Sequence, residues 1–368
     1  MNYSKDKRVV LTLDAGGTNL VFSAIQGNAQ IVEDFTLPTY PDDLQKCLNS
    51  ILTGFREIKN KLKEKLSAIS FAFPGPANYP EGIIGNLPNL PAFRGGVALG
   101  PFLQREFNLP VFINNDGDLY AYGEAISGFL PEINSKLNDA GNQKVYKNLL
   151  GLTLGTGFGA GIVRDGNLFI GDNSIAGEIW LMRNKLMPQS NIEEHASIRG
   201  VKKIYFEESN SVPDPNITPK DIYEIAKGEK EGNKTAALKA YEQMAEACGD
   251  AISNAITLID GLVVIGGGLS GAADIFLPNI VDEMNGNFTK HEGTKFKRLV
   301  ADVYNLEDKN DLKKFLTPDY TEIEIPGTNE KIKYDPKPKI GIGISRIGTS
   351  NAVALGAYAF ALNQLDKN

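Results

Sequence analysis

The chain has 368 residues, 42% of them hydrophobic and 23% charged, with a formal net charge of -7. That length supports about two domains with full cores, and the lack of a basic footprint argues against nucleic acid or an anionic membrane as partner. No stretch approaches the roughly 20 apolar residues of a membrane span, and the first eight residues hold no apolar signal core, so a cytoplasmic protein is expected.

The apolar run Val9-Val10-Leu11 opens the chain's ordered part, and Leu20 to Ile25 forms a second run. Between them lies Asp14-Ala15-Gly16-Gly17-Thr18-Asn19, which reads as strand, glycine turn, strand. Gln30 to Thr36 predicts a third strand. Tyr40-Pro41-Asp42-Asp43 predicts the start of a helix, whose apolar residues recur at helical spacing to about Leu66. Ala68 to Phe73 is a strand running into the Pro74-Gly75-Pro76 loop, and Gly85 to Pro91 is a second proline-bounded loop. A short helix over 101–107, a strand over Val111-Phe112-Ile113 and a helix over 117–126 follow. Strands alternating with helices imply a mainly parallel α/β sheet.

Residues 130–147 are polar and read as an exposed excursion. New strands are expected over 149–154, 159–163 and 168–170, the last two joined by the hairpin turn Asp165-Gly166. Residues 197–208 and 219–259 are helix-rich, 262–265 is a buried strand, and 272–284 is a helix. Residues 286–338 are charged and read as an irregular insertion; a strand over 340–344 and a helix over 351–365 end the chain. Strand, glycine turn and strand thus occur near the start and again, more loosely, after residue 149. Ligands of such folds bind beyond the strand ends, in a crevice between lobes.

The chemistry gathers at the glycines and at a few acids. Gly16 and Gly17 free the backbone to turn its amides toward an anion, and Asp14 can hold a hydrated magnesium ion. The bland alternative is a hairpin whose polar residues only satisfy the turn. Gly155-Thr156-Gly157 with Ala160 fits a dinucleotide fingerprint, G-x-G-x-x-A, formally, the mark of a nicotinamide-dependent oxidoreductase. The hairpin that follows lacks the required helix, so a phosphate-binding glycine hairpin is the better reading, with plain turn glycines as the alternative. Gly266-Gly267-Gly268 follows a strand and precedes a helix, so a flat ligand can approach the backbone; tight strand–helix packing would place glycines there too. Gly228 to Thr235 echoes a phosphate loop but lacks a preceding strand and reads as a solvated loop.

Asp116 ends a strand and precedes a glycine, so its carboxylate can project into a crevice and accept a hydroxyl proton during phosphoryl transfer. Asn115 can hydrogen-bond sugar-like hydroxyls. The alternative for Asp116 is an N-cap, a role Asp118 fits equally well. Glu178 and Glu193 could take hydroxyl hydrogen bonds or form surface salt bridges. Cys47 and Cys248 read as buried thiols, and His195 and His291 carry no assigned ligand role.

These motifs, in this order, resemble the ROK family of sugar kinases and sugar-responsive repressors, within the hexokinase–actin–Hsp70 superfamily. Asp14 to Thr18, Phe73-Pro74-Gly75-Pro76, Leu87 to Pro91, Asn115-Asp116 with Gly123-Glu124, Gly155-Thr156-Gly157 and Gly266 to Ser270 carry the likeness. It covers residues 8–130 and 149–280 well and the final helix moderately. It implies an α/β, two-lobed actin/hexokinase-like (ribonuclease H-like) ATPase fold with an interlobe active-site cleft. The expected lobes are residues 1–125 with the C-terminal helix 350–368, and 126–349 with an insertion over about 286–338.

The resemblance makes Asp14, Gly16, Gly17, Thr18, Asn19, Gly155, Thr156, Gly157, Gly266, Gly267 and Gly268 the ATP-binding residues, with magnesium held near Asp14 through water. Asp116 would be the general base toward a hexose 6-hydroxyl. Asn89, Asn115, Glu178 and Glu193 would hold the sugar, with Gly75 lending backbone. A homodimer is implied. Where the family has Gly-His after Gly-Glu-Ile, this chain has Trp180-Leu181, and the cysteine-rich zinc loop is replaced by Met187-Pro188-Gln189-Ser190-Asn191, so a zinc-free variant is expected. Trp180 either packs in the core or stacks on a sugar face. The expected activity is ATP- and magnesium-dependent phosphorylation of a hexose, glucose first. Fructose, mannose or N-acetylhexosamine are alternative substrates, and a non-catalytic sugar sensor is the alternative class.

Overall fold

The computed structural model describes residues 3–85, 87 and 90–367. The chain opens with β1 (Val9–Ala15), β2 (Asn19–Gln26), β3 (Ala29–Gln30) and β4 (Phe35–Pro38), then α1 (Leu44–Lys61) and β5 (Leu66–Ala72). A short pair, β6 (Ala77–Asn78) and β7 (Ile83–Ile84), precedes α2 (Leu99–Phe107), β8 (Val111–Asn114), α3 (Asp116–Ser127) and α4 (Phe129–Asp139). Next come β9 (Leu149–Leu154), β10 (Phe158–Arg164), β11 (Asn167–Phe169), α5 (Ile198–Ser209), α6 (Pro219–Lys227), α7 (Lys234–Ile259), β12 (Leu262–Gly266) and α8 (Ala273–Met284). The last part holds β13 (Asn287–Thr289), β14 (Lys295–Lys297), β15 (Asp302–Asn305), α9 (Lys309–Leu316), β16 (Thr321–Glu324), β17 (Lys331–Tyr334), β18 (Lys339–Ile344) and α10 (Thr349–Lys367). Two compact units result: one takes the residues up to Pro131, Ala160–Gly177 and those from Arg346 on, the other Glu132–Gly159 and Glu178–Ser345.

In the first unit the sheet order is β3-β2-β1-β5-β8, with β4 also on β2. β1 pairs antiparallel with β2, and β5 runs parallel to both β1 and β8. α1 covers one face because Cys47, Ile51, Phe55 and Ile58 repeat at helical spacing and are all buried. Phe55 meets Phe22 edge-on at 5.2 Å, and Phe71, Phe73 and Phe107 extend the aromatic core. Each such ring buries side-chain area worth about 1.5–3 kcal/mol. α3 and α10 lie against each other through glycine: a Cβ at Gly123 would stand 1.9 Å from the Ala352 carbonyl oxygen, and one at Gly356 1.9 Å from that of Leu119. That close crossing sets the direction in which the first turn of α3 points.

In the second unit β9, β12, β18 and β15 form parallel pairs in that order, Val263 facing Leu150 and Ile342. Every residue of β12 is buried, as expected of a parallel strand covered on both sides. The 26-residue α7 is flanked by α5 and α8.

Several expectations are corrected. The predicted third strand over 30–36 is two short ones, β3 and β4, parted at the polar Glu33-Asp34. α1 stops at Lys61, short of Leu66, and its N-cap is Asp43, which accepts the Lys46 N–H. The excursion expected over 130–147 begins as helix α4, because Leu130, Ile133 and Leu137 form a buried stripe among polar neighbours. The stretch 286–338 is not irregular. β15 extends the second sheet beside β18, and α9 buries Phe315 beneath it. The turn Asp165-Gly166 has positive φ at both positions, as a tight hairpin requires. Gly228 caps α6 and Asn233 caps α7, so the phosphate-loop echo is two helix ends.

Candidate functional site

In the first unit the Asp14 carboxylate lies at the exposed end of β1, opposite Val21. The turn beyond it is closed by Gly16 N–H donating to the Asn19 carbonyl at 2.9 Å. Thr39, which the sequence did not signal, donates its hydroxyl to the Gly16 carbonyl at 2.6 Å. Thr18 and Asn19 are exposed, and a Cβ at Gly17 would meet nothing within 4 Å. Protein packing therefore does not demand glycine at 17, and the backbone there is open to approach from outside.

Asp116 is the first residue of α3 and is exposed. Both it and Asn115 accept the Gly117 N–H, at 2.9 and 2.8 Å. Asn115 is the N-cap, so neither Asp116 nor Asp118 takes that role, and Asp118 is buried. With Oδ1 of Asn115 engaged by the backbone, its amide nitrogen is the end left to face a ligand. A carboxylate in the first turn of a helix is stabilised by the orphan N–H groups there. The Asp14 carboxyl is pushed above its ordinary value, first by loss of water around it and then by the negative charges of Asp116 and Asp34. Carboxylate and phosphate oxygens are the donors magnesium takes, and Asp14 offers one such carboxylate. Gly75 lies beside Tyr79, whose hydroxyl donates to the Phe73 carbonyl at 2.9 Å. Asn89 lies outside the described residues.

In the second unit Gly155 N–H donates to the Gly157 carbonyl at 3.0 Å, which makes 155–157 a tight turn. Gly267 has φ near +91°, and a Cβ there would press on the Leu154 carbonyl at 2.3 Å. That approach lays Gly266-Gly267-Gly268 beside the 155–157 turn, and Leu269 N–H donates to Leu154 at 3.0 Å. The two glycine loops expected to hold ATP are thus neighbours. Glu193 sits in a short helical turn, Ile192–Glu194, and accepts the Phe158 N–H at 3.0 Å. A Cβ at Gly157 would meet the same carboxylate at 2.7 Å. Glu178 is exposed, and the Trp180 indole N–H donates to it. Trp180 is half-buried, so it is neither a core residue nor free of its neighbour. An aromatic two residues beyond an acid was the only signal of this pair.

The loop over 184–191 holds no cysteine, histidine, aspartate or glutamate. It offers Asn184, Met187, Gln189, Ser190 and Asn191, and the adjoining His195 ring is engaged by Asn184. Among the described residues no three His, Cys, Asp or Glu side chains are grouped to hold a metal ion. Cys47 and Cys248 are buried free thiols, both pushed up by burial, to about 11 and about 12.

Two α/β units, an acid at a helix start beside a glycine turn, and two adjacent glycine loops define a mixed α/β protein of the hexokinase-like class. The ROK family model matches residues 10–305. The glucokinase structure from Parabacteroides distasonis is similar at 52% identity and a TM-score of 0.91, with 99% of each chain covered. The ROK hexokinase structure from Thermus thermophilus shares the fold at 17% identity and a TM-score of 0.66, covering 98% of this chain and 100% of that one. The glucokinase of Halalkalibacterium halodurans is 30% identical over 297 residues, 73% of this chain and 82% of that protein. An N-acetyl-D-glucosamine kinase of Vibrio cholerae is 26% identical over 296 residues, 76% of this chain and 88% of that protein. The chain belongs to the ROK family.

Proposed function

We propose that this chain transfers the γ-phosphoryl group of ATP to the 6-hydroxyl of glucose. The observation that carries the reading is the 52% identity, end to end, with the P. distasonis glucokinase. Asp116 accepts the proton of the 6-hydroxyl as its oxygen attacks phosphorus. The amides of Gly16, Gly17, Thr18 and Asn19 and those of Gly155, Thr156 and Gly157 hold the phosphates, and Gly266, Gly267 and Gly268 take the adenosine. Magnesium bound to the phosphates near Asp14 would neutralise the charge that builds up during transfer. Glu178 and Glu193 accept sugar hydroxyls, Asn115 donates its amide, and Asn89 and the Gly75 backbone complete the sugar pocket. The bond from Trp180 orients Glu178 toward one hydroxyl geometry. The reading includes a homodimer and a cytoplasmic setting, both carried over from the family; no helix among the described residues is long and apolar enough to cross a membrane.

ADP release from magnesium ATP across glucose, fructose, mannose, N-acetylglucosamine and N-acetylmannosamine tests the reading. Glucose giving the highest kcat/KM supports it. N-acetylglucosamine giving the highest would move the chain to the activity named for its Vibrio relatives. Tight glucose binding without turnover would make it a sensor.

A further inference from the structure

Asn184 is fully buried, and it lies between the short helical turns Ile179–Leu181 and Ile192–Glu194. A buried amide has to find hydrogen-bond partners, and this one finds four. Its Oδ1 accepts the N–H groups of Leu186 at 3.0 Å and Met187 at 3.2 Å. Its Nδ2 donates to the Asn191 carbonyl at 3.2 Å and stands 2.7 Å from Nδ1 of His195. Two backbone donors on Oδ1 fix which end of the amide is oxygen, so the nitrogen faces the histidine. His195 Nδ1 must then accept, and the ring proton resides on Nε2.

The neighbouring backbone ties the same segment together. Asn184 N–H donates to Ser190 at 3.0 Å and Ile192 N–H to Met182 at 2.8 Å. His195 N–H closes the turn on Ile192, and the Ser197 hydroxyl donates to the Glu193 carbonyl at 2.7 Å. Residues on both flanks of Glu193 are therefore held by one amide, and the Glu193 carboxylate is the group aimed at the Phe158 N–H.

We propose that Asn184 is a positioning residue for sugar binding, clamping Asn191 and neutral His195 so that Glu193 presents its carboxylate to the substrate. The role rests on the reading of Glu193 as a sugar ligand. The clamp has a pH sense. The groups facing the ring are Lys203 and Glu207 on α5, Glu194 in its own turn and Glu246 on α7; burial, then Lys203, keeps His195 below its ordinary value. A depressed histidine holds its contact above the ordinary value and loses it as pH falls through its folded one, when Nδ1 gains a proton and can no longer accept.

The test uses the full chain as wild type, Asn184→Asp and Asn184→Ala, with glucose as probe. Glucose KM is expected to rise about tenfold in Asn184→Ala, while kcat and ATP KM stay within about twofold. Wild-type glucose KM should worsen as pH falls below the ordinary histidine value and through the lower one His195 has in the fold. In Asn184→Asp an acceptor replaces the donor facing His195, so the ring must carry a proton on Nδ1, as the neutral Nδ1–H tautomer or as the cation that the carboxylate's charge favours. The His195 ring signal should then titrate above its wild-type value, and the worsening of glucose KM at low pH seen in wild type should disappear. An Asp variant whose His195 titrates as in wild type, with the wild-type pH profile, overturns the proposal. So does an Ala variant in which kcat, ATP KM and glucose KM all suffer alike. If the Ala variant does not fold, the isosteric Asp variant decides. A wild type without sugar-dependent turnover would remove the kinase reading instead, and the ring titration would still decide the clamp.

Discussion

The Glu193 carboxylate accepts the backbone N–H of Phe158 at 3.0 Å, immediately after the Gly155-Thr156-Gly157 turn. A residue read as a sugar ligand and a loop read as a phosphate ligand are thus one hydrogen bond apart. The carboxylate has two oxygens, and the backbone uses only one of them. Glu193→Gln keeps an acceptor for Phe158 but loses the charge that strengthens a hydrogen bond to a hydroxyl. Glucose KM should rise about 10- to 100-fold, with ATP KM within about twofold. Steady-state kinetics in both substrates checks this; equal rises in the two KM values would mean that Glu193 only props the phosphate loop.

Asp14 carries the opposite sign of linkage from a salt-bridged acid. Its carboxyl is raised in the fold by lost solvent, Asp116 and Asp34, so the folded state holds the proton more tightly than the unfolded chain. Its ionised form costs stability above the folded pKa, and the cost vanishes below the ordinary carboxyl value, near pH 4. Asp14→Asn should therefore melt higher than wild type at pH 7–8, with the gain gone by about pH 3. The same variant should lose about tenfold or more in kcat/KM for magnesium ATP. Melting curves across pH read the first effect; a variant that melts lower at pH 8 would contradict it.

The α3–α10 crossing makes a prediction about stability alone. Gly123→Ala places a methyl 1.9 Å from the Ala352 carbonyl oxygen, and backbone cannot swing away as a side chain would. The variant should lose about 1–3 kcal/mol or more. Gly271→Ala is the control, because a Cβ there meets nothing within 4 Å. Its melting temperature should stay near wild type, while Gly123→Ala melts several degrees lower.

The sequence was most readable where one residue type has one physical use. Gly16-Gly17 between apolar runs could only be a turn, and the Ala72–Phe73 strand end and the buried strand at 262–265 announced themselves by unbroken apolar runs. What escaped was decided by tertiary context. α4 reads as polar until Leu130, Ile133 and Leu137 find a surface to cover. β15 is four residues with Val303 as its buried member, too short for periodicity to register. The N-cap went to Asn115 over two aspartates, a choice made by where β8 ends. Asn184 looked like any loop asparagine, and only its burial and four partners mark it. Trp180 was undecidable between core and sugar because its partner, Glu178, is a local one.

Direct observation of the product tests the central claim most closely. Wild type and Asp116→Asn are each given magnesium ATP and glucose, the phosphorylated sugar is followed by phosphorus NMR, and glucose binding is measured in parallel by calorimetry. The account predicts glucose 6-phosphate from the wild type, a rate about 100- to 10,000-fold lower in the variant, and glucose affinity little changed. Near wild-type turnover in Asp116→Asn, or phosphate appearing on a different hydroxyl, would contradict it.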